Sequence, residues 1–174
     1  MRRIATLIIL LQVFLVSCNE KHLEEIQSGC YFQYEYVNYA WGFSHAGFTI
    51  TSEGEVFSFD ESTPWVFAEN NKLSLSALRK NIKASAQVDT LIGVTEMEHY
   101  SQLAISAMSG KLTDPVSRGA DMGEGICKLI IPDTTDPLNG YREVILTENG
   151  DFERHNLSPE AAVIASWLTA FKFH

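Results

Sequence analysis

The residues from 31 to 39 alternate between aromatic and polar side chains. An alternation with a period of two places the two sets on opposite sides of an extended chain. Aromatic residues also favour strands, so we predict a strand with one buried, aromatic face. The aromatic set is Phe32, Tyr34 and Tyr36, and the polar set is Gln33 and Glu35.

A β-hairpin is predicted directly after this strand. Residues 46–51 and 56–59 are two further runs that carry phenylalanines in phase, and the tripeptide Ser52-Glu53-Gly54 separates them. Serine and glycine are typical turn residues, so the two runs are expected to pair as antiparallel strands. Pro64 ends this first β-rich section.

Helical periodicity predicts three helices, each with its own start signal. The first follows Ser74 and carries leucine and isoleucine on one face. The second is expected to start at Thr95, which is spaced from Glu98 as in a capping box, and to end at Gly110. The third is expected to start at Ser158-Pro159, an N-cap followed by a proline in the first helical turn.

A second β section lies between the last two helices. Residues 126–131 and 141–147 predict strands, and Asn149-Gly150 is a strong hairpin signal that leads into residues 151–155. We expect this section to pair with the first one. The order of elements therefore predicts an α+β fold with an antiparallel sheet of about five to six strands and about three helices packed on one face.

The first eighteen residues have the pattern of an export signal. Arg2 and Arg3 precede the apolar run 4–16, which is shorter than the roughly 20 residues that a membrane-spanning helix needs. The run leads into Leu15-Val16-Ser17-Cys18. This ending resembles the lipobox of bacterial lipoproteins, in which the residue corresponding to Cys18 receives a diacylglyceryl group, becomes the first residue after cleavage and is N-acylated.

The resemblance implies a removed signal peptide over residues 1–17 and a lipidated tether over residues 18–28. Residues 29–174 have the length of one domain and show no internal repeat or linker, so we predict a single globular domain there. Fatty acids such as palmitate on Cys18 would hold the protein at a membrane, because each buried CH₂ contributes about 0.8 kcal/mol. Asn19 occupies the place where Asp is associated with inner-membrane retention, which favours the outer membrane and leaves its leaflet open. An ordinary cleaved signal peptide with an incidental cysteine is the alternative.

Charge excludes one class of partner. The 174 residues include 13 basic and 22 acidic ones, a net charge of −9, and removal of the leader would leave 11 basic residues and a net charge of −11. Nucleic-acid binding needs a basic face, and no cluster of lysines or arginines stands out in the sequence. Anionic lipid headgroups would also repel the domain, so the lipid anchor is the expected membrane contact.

Two cysteines remain once Cys18 is assigned to lipid. In an exported protein, Cys30 and Cys127 either form a disulfide or stay as two buried free thiols that act as small hydrophobic groups. A catalytic role is the least favoured, because only Lys128 beside Cys127 would lower a thiol pKa.

Residues 38–47 form the first candidate binding segment. Trp41 and Phe43 offer a surface for a flat or sugar-like ligand, and His45 can exchange a proton near neutral pH. The alternative is structural, with the two aromatic residues capping the core and His45 hydrogen-bonded within a turn.

Residues 118–125 form the second candidate segment. Arg118, Asp121 and Glu124 lie among glycines in a predicted loop, where they could hold a polar ligand or a hard cation such as calcium. The spacing does not fit an EF-hand or a nucleotide loop, and a plain mobile loop is the alternative.

No metal or cofactor is expected and the catalytic residues are left unassigned, because the sequence lacks His-x-x-x-His and Gly-x-Ser-x-Gly motifs. The main hypothesis is a lipid-anchored, non-enzymatic module that binds a protein or glycan at the bacterial cell envelope. One alternative is an inhibitor of a secreted hydrolase acting through residues 41–47. The other is an envelope hydrolase that uses His45 with Asp121 or Glu124.

Overall fold

The computed structural model describes residues 29–136 and 140–171, and within these ranges the chain forms nine strands and three helices. The strands are β1 (Tyr31–Asn38), β2 (Ser44–Ile50), β3 (Glu55–Phe59), β4 (Lys72–Ser74), β5 (Ala86–Leu91), β6 (Val116–Ser117), β7 (Glu124–Pro132), β8 (Gly140–Gly150) and β9 (Phe152–His155). The helices are α1 (Leu75–Ala84), α2 (Val94–Ala107) and α3 (Pro159–Ala170).

The strands form one antiparallel sheet in the order β5-β3-β2-β1-β7-β8-β9-β6, with β4 paired to the first part of β8. Strand β1 is central, with β2 on one side and β7 on the other. The α+β class is therefore confirmed, as is the pairing of the second β section with the first. The sheet is larger than predicted because it also includes β4, β5 and β6, which have three, six and two residues and were not predicted.

Both predicted hairpins form. Gly54 has a φ of +85° in the turn between β2 and β3, a conformation that residues with a Cβ rarely adopt. The chain also reverses after Asn149, which pairs with Glu153, so three residues, Gly150 to Phe152, connect the pair in place of the predicted two-residue turn Asn149-Gly150.

The helix starts agree with the sequence in two cases out of three. Ser74 caps α1 by accepting a hydrogen bond from the backbone N–H of Ala77 at 3.1 Å, and α3 starts at Pro159 after Ser158. The predicted capping box of α2 is wrong, because this helix starts at Val94 after Gly93 and Thr95 lies inside it.

The apolar face of the sheet carries α2 and α3. Side chains from β1, β2, β7 and β8 are fully buried there against α3, and the Phe32 and Trp167 rings meet edge to face at 5.3 Å. Full burial of such a side chain contributes about 1.5–3 kcal/mol. The main members of this core are Phe32, Phe48, Ile50, Leu129, Leu146, Ile164 and Leu168.

The opposite face is also buried, and this corrects the prediction that β1 has one buried face. This polar face is defined by five side chains that are almost inaccessible to solvent, Gln33, Glu35, His45, Thr49 and Lys128. Trp65 and Phe67 of the segment 60–71 lie against His45, and Leu78 of α1 packs with Ile130 on the same face.

Helix α1 therefore does not lie with the other two helices. Leu78 of α1 packs with Tyr31 and Ile130. Tyr31 points to the opposite side of β1 from Phe32, which contacts α3. The three helices are thus divided between the two faces, and the prediction of a single helical face is wrong.

Candidate functional site

The two candidate segments of the sequence meet at one end of the sheet. Strand β1 ends at Asn38, where β2 starts and where β7 starts at Glu124. The Tyr36 hydroxyl donates to the Met122 carbonyl at 2.8 Å, and the Asn38 side-chain amide donates to the Tyr36 hydroxyl at 3.0 Å. The loops 39–43 and 118–123 are thereby joined in what we call the aromatic end of the sheet, which also includes the β8–β9 turn and the turn after β3.

Four aromatic side chains are exposed on the segments 39–43 and 60–67 of this end, and Phe152 beside the β8–β9 turn is a fifth. Trp41 is 85% exposed, Tyr39 73%, Phe43 49% and Phe67 42%. The Tyr39 and Phe43 ring centroids are 5.5 Å apart, and Phe43 meets Phe67 at 6.1 Å. Trp41 therefore does not cap the core, whereas Phe43 lies partly over His45 at 6.2 Å.

The loop 39–43, which carries Tyr39, Trp41 and Phe43, is held by a local hydrogen bond. The Asn38 carboxamide oxygen accepts from the Ala40 backbone N–H at 2.8 Å. Gly42 has a φ of +110°, so the turn beside Trp41 depends on a residue without a Cβ. A contiguous set of exposed aromatic side chains on a held loop is typical of an interaction surface.

His45 is not part of this exposed surface. Its side chain is buried, and the rings of Phe59, Phe67 and Trp65 surround it at centroid distances of 4.8, 4.9 and 5.2 Å. Its Nε2 lies 3.2 Å from Glu35 Oε2, so Nε2–H is the donor when the carboxylate is ionised.

Glu35 and His45 belong to a buried charged network on the polar face. The Lys128 ammonium donates to Glu35 at 2.8 Å and to Glu143 at 2.7 Å. Gln33 donates to Glu35 at 2.8 Å and accepts from Thr49 at 3.2 Å. Each buried charge thus has an oppositely charged partner, the arrangement that burial of ions requires.

The pKa directions in this network follow from burial and charge. Burial raises the pKa of Glu35, but the ammonium of Lys128 and the hydrogen bond from His45 outweigh it and lower the pKa to about 2. Burial lowers the pKa of Lys128, but Glu35 and Glu143 together outweigh it and raise the pKa. Glu35 and Lys128 are therefore both ionised at neutral pH.

Sequence reasoning missed this network, although a signal was present. Lys128 is the one charged residue in the apolar run 126–131, and Glu35 lies within an aromatic run. A charged residue at such a position is rarely buried unless it is paired, so Lys128 and Glu35 were candidates for partners across β1 and β7.

The second candidate segment does not form a convergent site. Arg118 is ion-paired with Glu153, and Asp121 is exposed with a φ of +67°. Glu124 Oε1 accepts from the Phe152 backbone N–H at 2.8 Å.

Glu124 has an unusual environment. Among the described side chains, its Oε2 is the buried polar atom that has no hydrogen-bond partner. Burial raises the pKa of Glu124, and Glu148 and Asp151 add to the effect.

The residues named for a hydrolase are not brought together. His45 and Glu124 pair with Val37 from opposite sides, so their Cα atoms are two strand spacings apart, roughly 10 Å. Asp121 lies in the exposed loop before β7. The hydrogen-bond partner of His45 is Glu35, and the imidazole is closed off from a substrate.

The cysteines remain as two free, buried thiols, and the disulfide is not formed. Tyr31, which follows Cys30, pairs with Ile130, whereas Cys127 pairs with Tyr34. The two cysteines are thus about 13 Å apart along the ladder, well beyond the roughly 7 Å between Cα atoms that a disulfide spans. Burial raises the pKa of Cys30 to about 12 and also raises that of Cys127, so neither thiol is activated.

Within residues 29–136 and 140–171, no group of three or more His, Cys, Asp or Glu side chains is placed to hold a metal ion. No helix in the same ranges is long and apolar enough to cross a membrane. The predicted signal peptide, the tether and the lipidation site Cys18 lie outside the described residues.

Comparisons of the chain with protein-family models, with curated proteins and with solved structures found no match.

Proposed function

We propose that this protein is a lipid-anchored lipoprotein of the bacterial cell envelope, and that its aromatic end binds a partner without catalysing a reaction. The observation that carries the binding proposal is the exposure of Trp41 and Tyr39 on a loop held by hydrogen bonds. Exposing large aromatic side chains to water has a free-energy cost that packing in the core would avoid. A binding role explains why the chain retains them on its surface.

The direction of β1 supports the same proposal. The described chain enters at Gly29, next to the start of β1, and the aromatic loop follows the other end of this strand. An eight-residue strand is about 27 Å long. A lipid on Cys18 would therefore be connected to the far end of the sheet, with the aromatic end directed away from the membrane.

The buried location of His45 supports binding over hydrolysis. An imidazole whose Nε2 is held by Glu35 and whose ring is packed among Phe59, Trp65 and Phe67 cannot reach a bound substrate without opening of residues 60–71.

Inhibition of a secreted hydrolase is a second candidate, favoured by one observation. The loop 39–43 is both exposed and held, through Asn38 and Tyr36, to the loop 118–123. Binding loops that enter an enzyme cleft keep their backbone conformation on binding. If the captured partner is a hydrolase and loses activity when bound, the result would favour this second candidate over the first.

The anchor is tested by Cys18→Ala in cells fed radiolabelled palmitate. We expect the variant to lose the label and to leave the membrane fraction. Label that remains on the variant would contradict the assignment, and Cys30→Ala is the matched control because it changes a cysteine that is expected to carry no lipid.

The binding surface is tested by pull-down from envelope extract and by a glycan panel, with the full-length protein in detergent. We expect a partner that is lost on Trp41→Ala and retained on Val94→Ala, which changes an exposed residue at the start of α2. If capture is equal for the two variants, the aromatic end is not the binding surface. Turnover of a hydrolase substrate that His45→Ala abolishes would overturn the non-enzymatic proposal.

A further inference from the structure

We infer that the aromatic end docks a basic protein segment, one that presents arginine or lysine side chains to Trp41 and Tyr39. The inference rests on the proposed binding function and goes further by naming the chemical class of the partner.

The charges at this end are the first argument. Two basic residues are present there, and both are already ion-paired, Arg118 with Glu153 and Arg154 with Glu148. The loops 39–43, 60–67 and 118–123 contain no lysine. The acidic residues at this end are Asp60, Glu61, Asp121, Glu124, Glu148, Asp151 and Glu153.

Seven carboxylates against two arginines leave this end with five more acidic than basic residues. Asp121 and Glu61 are exposed and belong to none of the ion pairs of the described residues. A cationic segment approaching the surface would gain charge partners here, and the local field would increase its rate of association.

The aromatic side chains are the second argument. Trp41 is almost fully exposed, and Tyr39 stands two positions before it. Tryptophan is the best aromatic partner for a cation, and arginine is its most frequent one. Exposed aromatic rings at an end of the sheet that also carries these carboxylates thus offer two separate attractions to a segment with guanidinium groups.

The positions of the exposed basic side chains that form no ion pair are the third argument. Among the described residues, the exposed basic side chains outside the ion pairs are Arg79, Lys80 and Lys83 on α1, whose Leu78 packs near the start of β1, and Lys111, whose carbonyl accepts from the backbone N–H of Leu157 after the end of β9. They are therefore placed away from the aromatic end and would not compete there for its carboxylates. The same charge pattern disfavours a second copy of this chain, since its aromatic end is equally acidic.

The test measures binding of three probes to the full-length protein in a zwitterionic detergent. The probes are a short arginine–glycine peptide, its glutamate–glycine counterpart and a neutral chito-oligosaccharide, and binding is measured by isothermal titration at two salt concentrations. We expect only the arginine peptide to bind, and more weakly at the higher salt concentration. Trp41→Ala should weaken its binding by about tenfold.

Charge substitutions test whether the arginine peptide binds at the aromatic end or is attracted to the acidic protein in general. The pair Glu61→Gln and Asp121→Asn should weaken binding of the arginine peptide. Val94→Ala and Glu53→Gln change an exposed apolar and an exposed acidic residue away from the aromatic end, and we expect no effect from either.

Two results would overturn the inference and leave the proposed function intact. The first is binding of the oligosaccharide that depends on Trp41. The second is an envelope partner whose binding depends on Trp41 but is insensitive to salt and to the Glu61 and Asp121 substitutions. Absence of arginine-peptide binding up to about 1 mM would also overturn it. Binding of this peptide that Trp41→Ala leaves unchanged would do the same. A pull-down in which no partner depends on Trp41 would instead reject the proposed function itself.

Discussion

The two faces of the sheet are both buried, but they are stabilised by different interactions. On the apolar face, Phe32 and Leu129 pack under α2 and α3, as the sequence pattern predicts. On the polar face, the adjacent residues Gln33 and Lys128 are equally buried and are held by hydrogen bonds and ion pairs. One strand pair thus supports a hydrophobic core on one side and a charged network on the other.

The two faces differ in how strictly they fix the register of the strands. Apolar packing depends weakly on direction, so the apolar face tolerates changes of similar volume. The ammonium of Lys128 must lie between Glu35 and Glu143, which fixes how β7 aligns with its neighbours. A slip of one residue would move these charges into the apolar core, so we expect the polar face to specify the strand register.

The largest effect is expected from Lys128→Met, which leaves Glu35 and Glu143 buried without their cation. Removal of one partner from a buried ion pair costs about 3–5 kcal/mol, and chemical denaturation should show a loss of this size in the free energy of unfolding. Lys72→Met is the matched control, because the Lys72 side chain in its pair with Asp133 is 67% exposed. Its cost should be below about 1 kcal/mol.

A loss below about 1 kcal/mol for Lys128→Met as well would contradict the importance of the network. The triple variant Glu35→Leu, Lys128→Met and Glu143→Leu sharpens the comparison. Replacing all members with apolar residues should recover much of the lost stability, because no unpaired charge remains buried.

The pH dependence of stability should come from the polar face. The pKa of Glu35 is lowered from 4.5 to about 2 on folding, so its ionised form stabilises the folded state above pH 4.5. This stabilisation, roughly 3 kcal/mol, is lost as the pH falls toward 2.

Denaturation at a series of pH values between 5 and 2 tests this dependence. Glu35→Gln should flatten the curve, whereas Leu129→Val on the apolar face should lower it and leave its slope unchanged. Equal slopes for Glu35→Gln and the wild type would show that another carboxyl group is responsible.

A smaller effect is expected from His45→Leu. The variant removes the hydrogen bond to Glu35 but keeps a side chain to fill the space among the aromatic rings. Hydrogen bonds to charged groups contribute about 1.5–3 kcal/mol, so thermal unfolding should show a loss near 2 kcal/mol. His155→Leu is the control, because His155 is exposed beside Glu153 and its loss should change little. An unchanged melting temperature for His45→Leu would remove His45 from the network.

The smallest effect on stability is expected from Trp41→Ala. Because Trp41 is 85% exposed, the change in the free energy of unfolding should stay within about 0.5 kcal/mol. Trp65→Ala should cost more, since the Trp65 ring packs on Phe59 at 4.1 Å and on His45. If the two costs are similar and large, Trp41 has a structural role and the binding proposal loses its main support.

The sequence predicted the elements whose signals are local. Strand β1, the two hairpins and the starts of α1 and α3 depend on alternation, turn residues and caps within a few positions, and all are present. The capping box at Thr95 was wrong because the spacing also occurs inside a helix whose first turn starts one residue earlier.

The candidate site was predicted only in part, because a binding role depends on which side chains are exposed to solvent. The sequence identified the segment that contains Trp41 and His45, but the two residues have opposite environments four positions apart. Trp41 lies in the loop beyond the strands, whereas His45 lies within β2 and is covered by residues 60–71. No local sequence pattern predicts that residues 60–71 cover His45.

The amino-acid sequence by itself determined the α+β class, the apolar face of the sheet and the two loops that meet at its end, because each depends on the order and periodicity of neighbouring residues. Only the tertiary structure decided that Gln33, Glu35 and Lys128 are buried. Their burial depends on β7 bringing a cation beside β1 from 93 positions away in the chain. A charged side chain is stable in the interior only beside such a partner, and the local sequence does not show which partner a distant strand will bring to it.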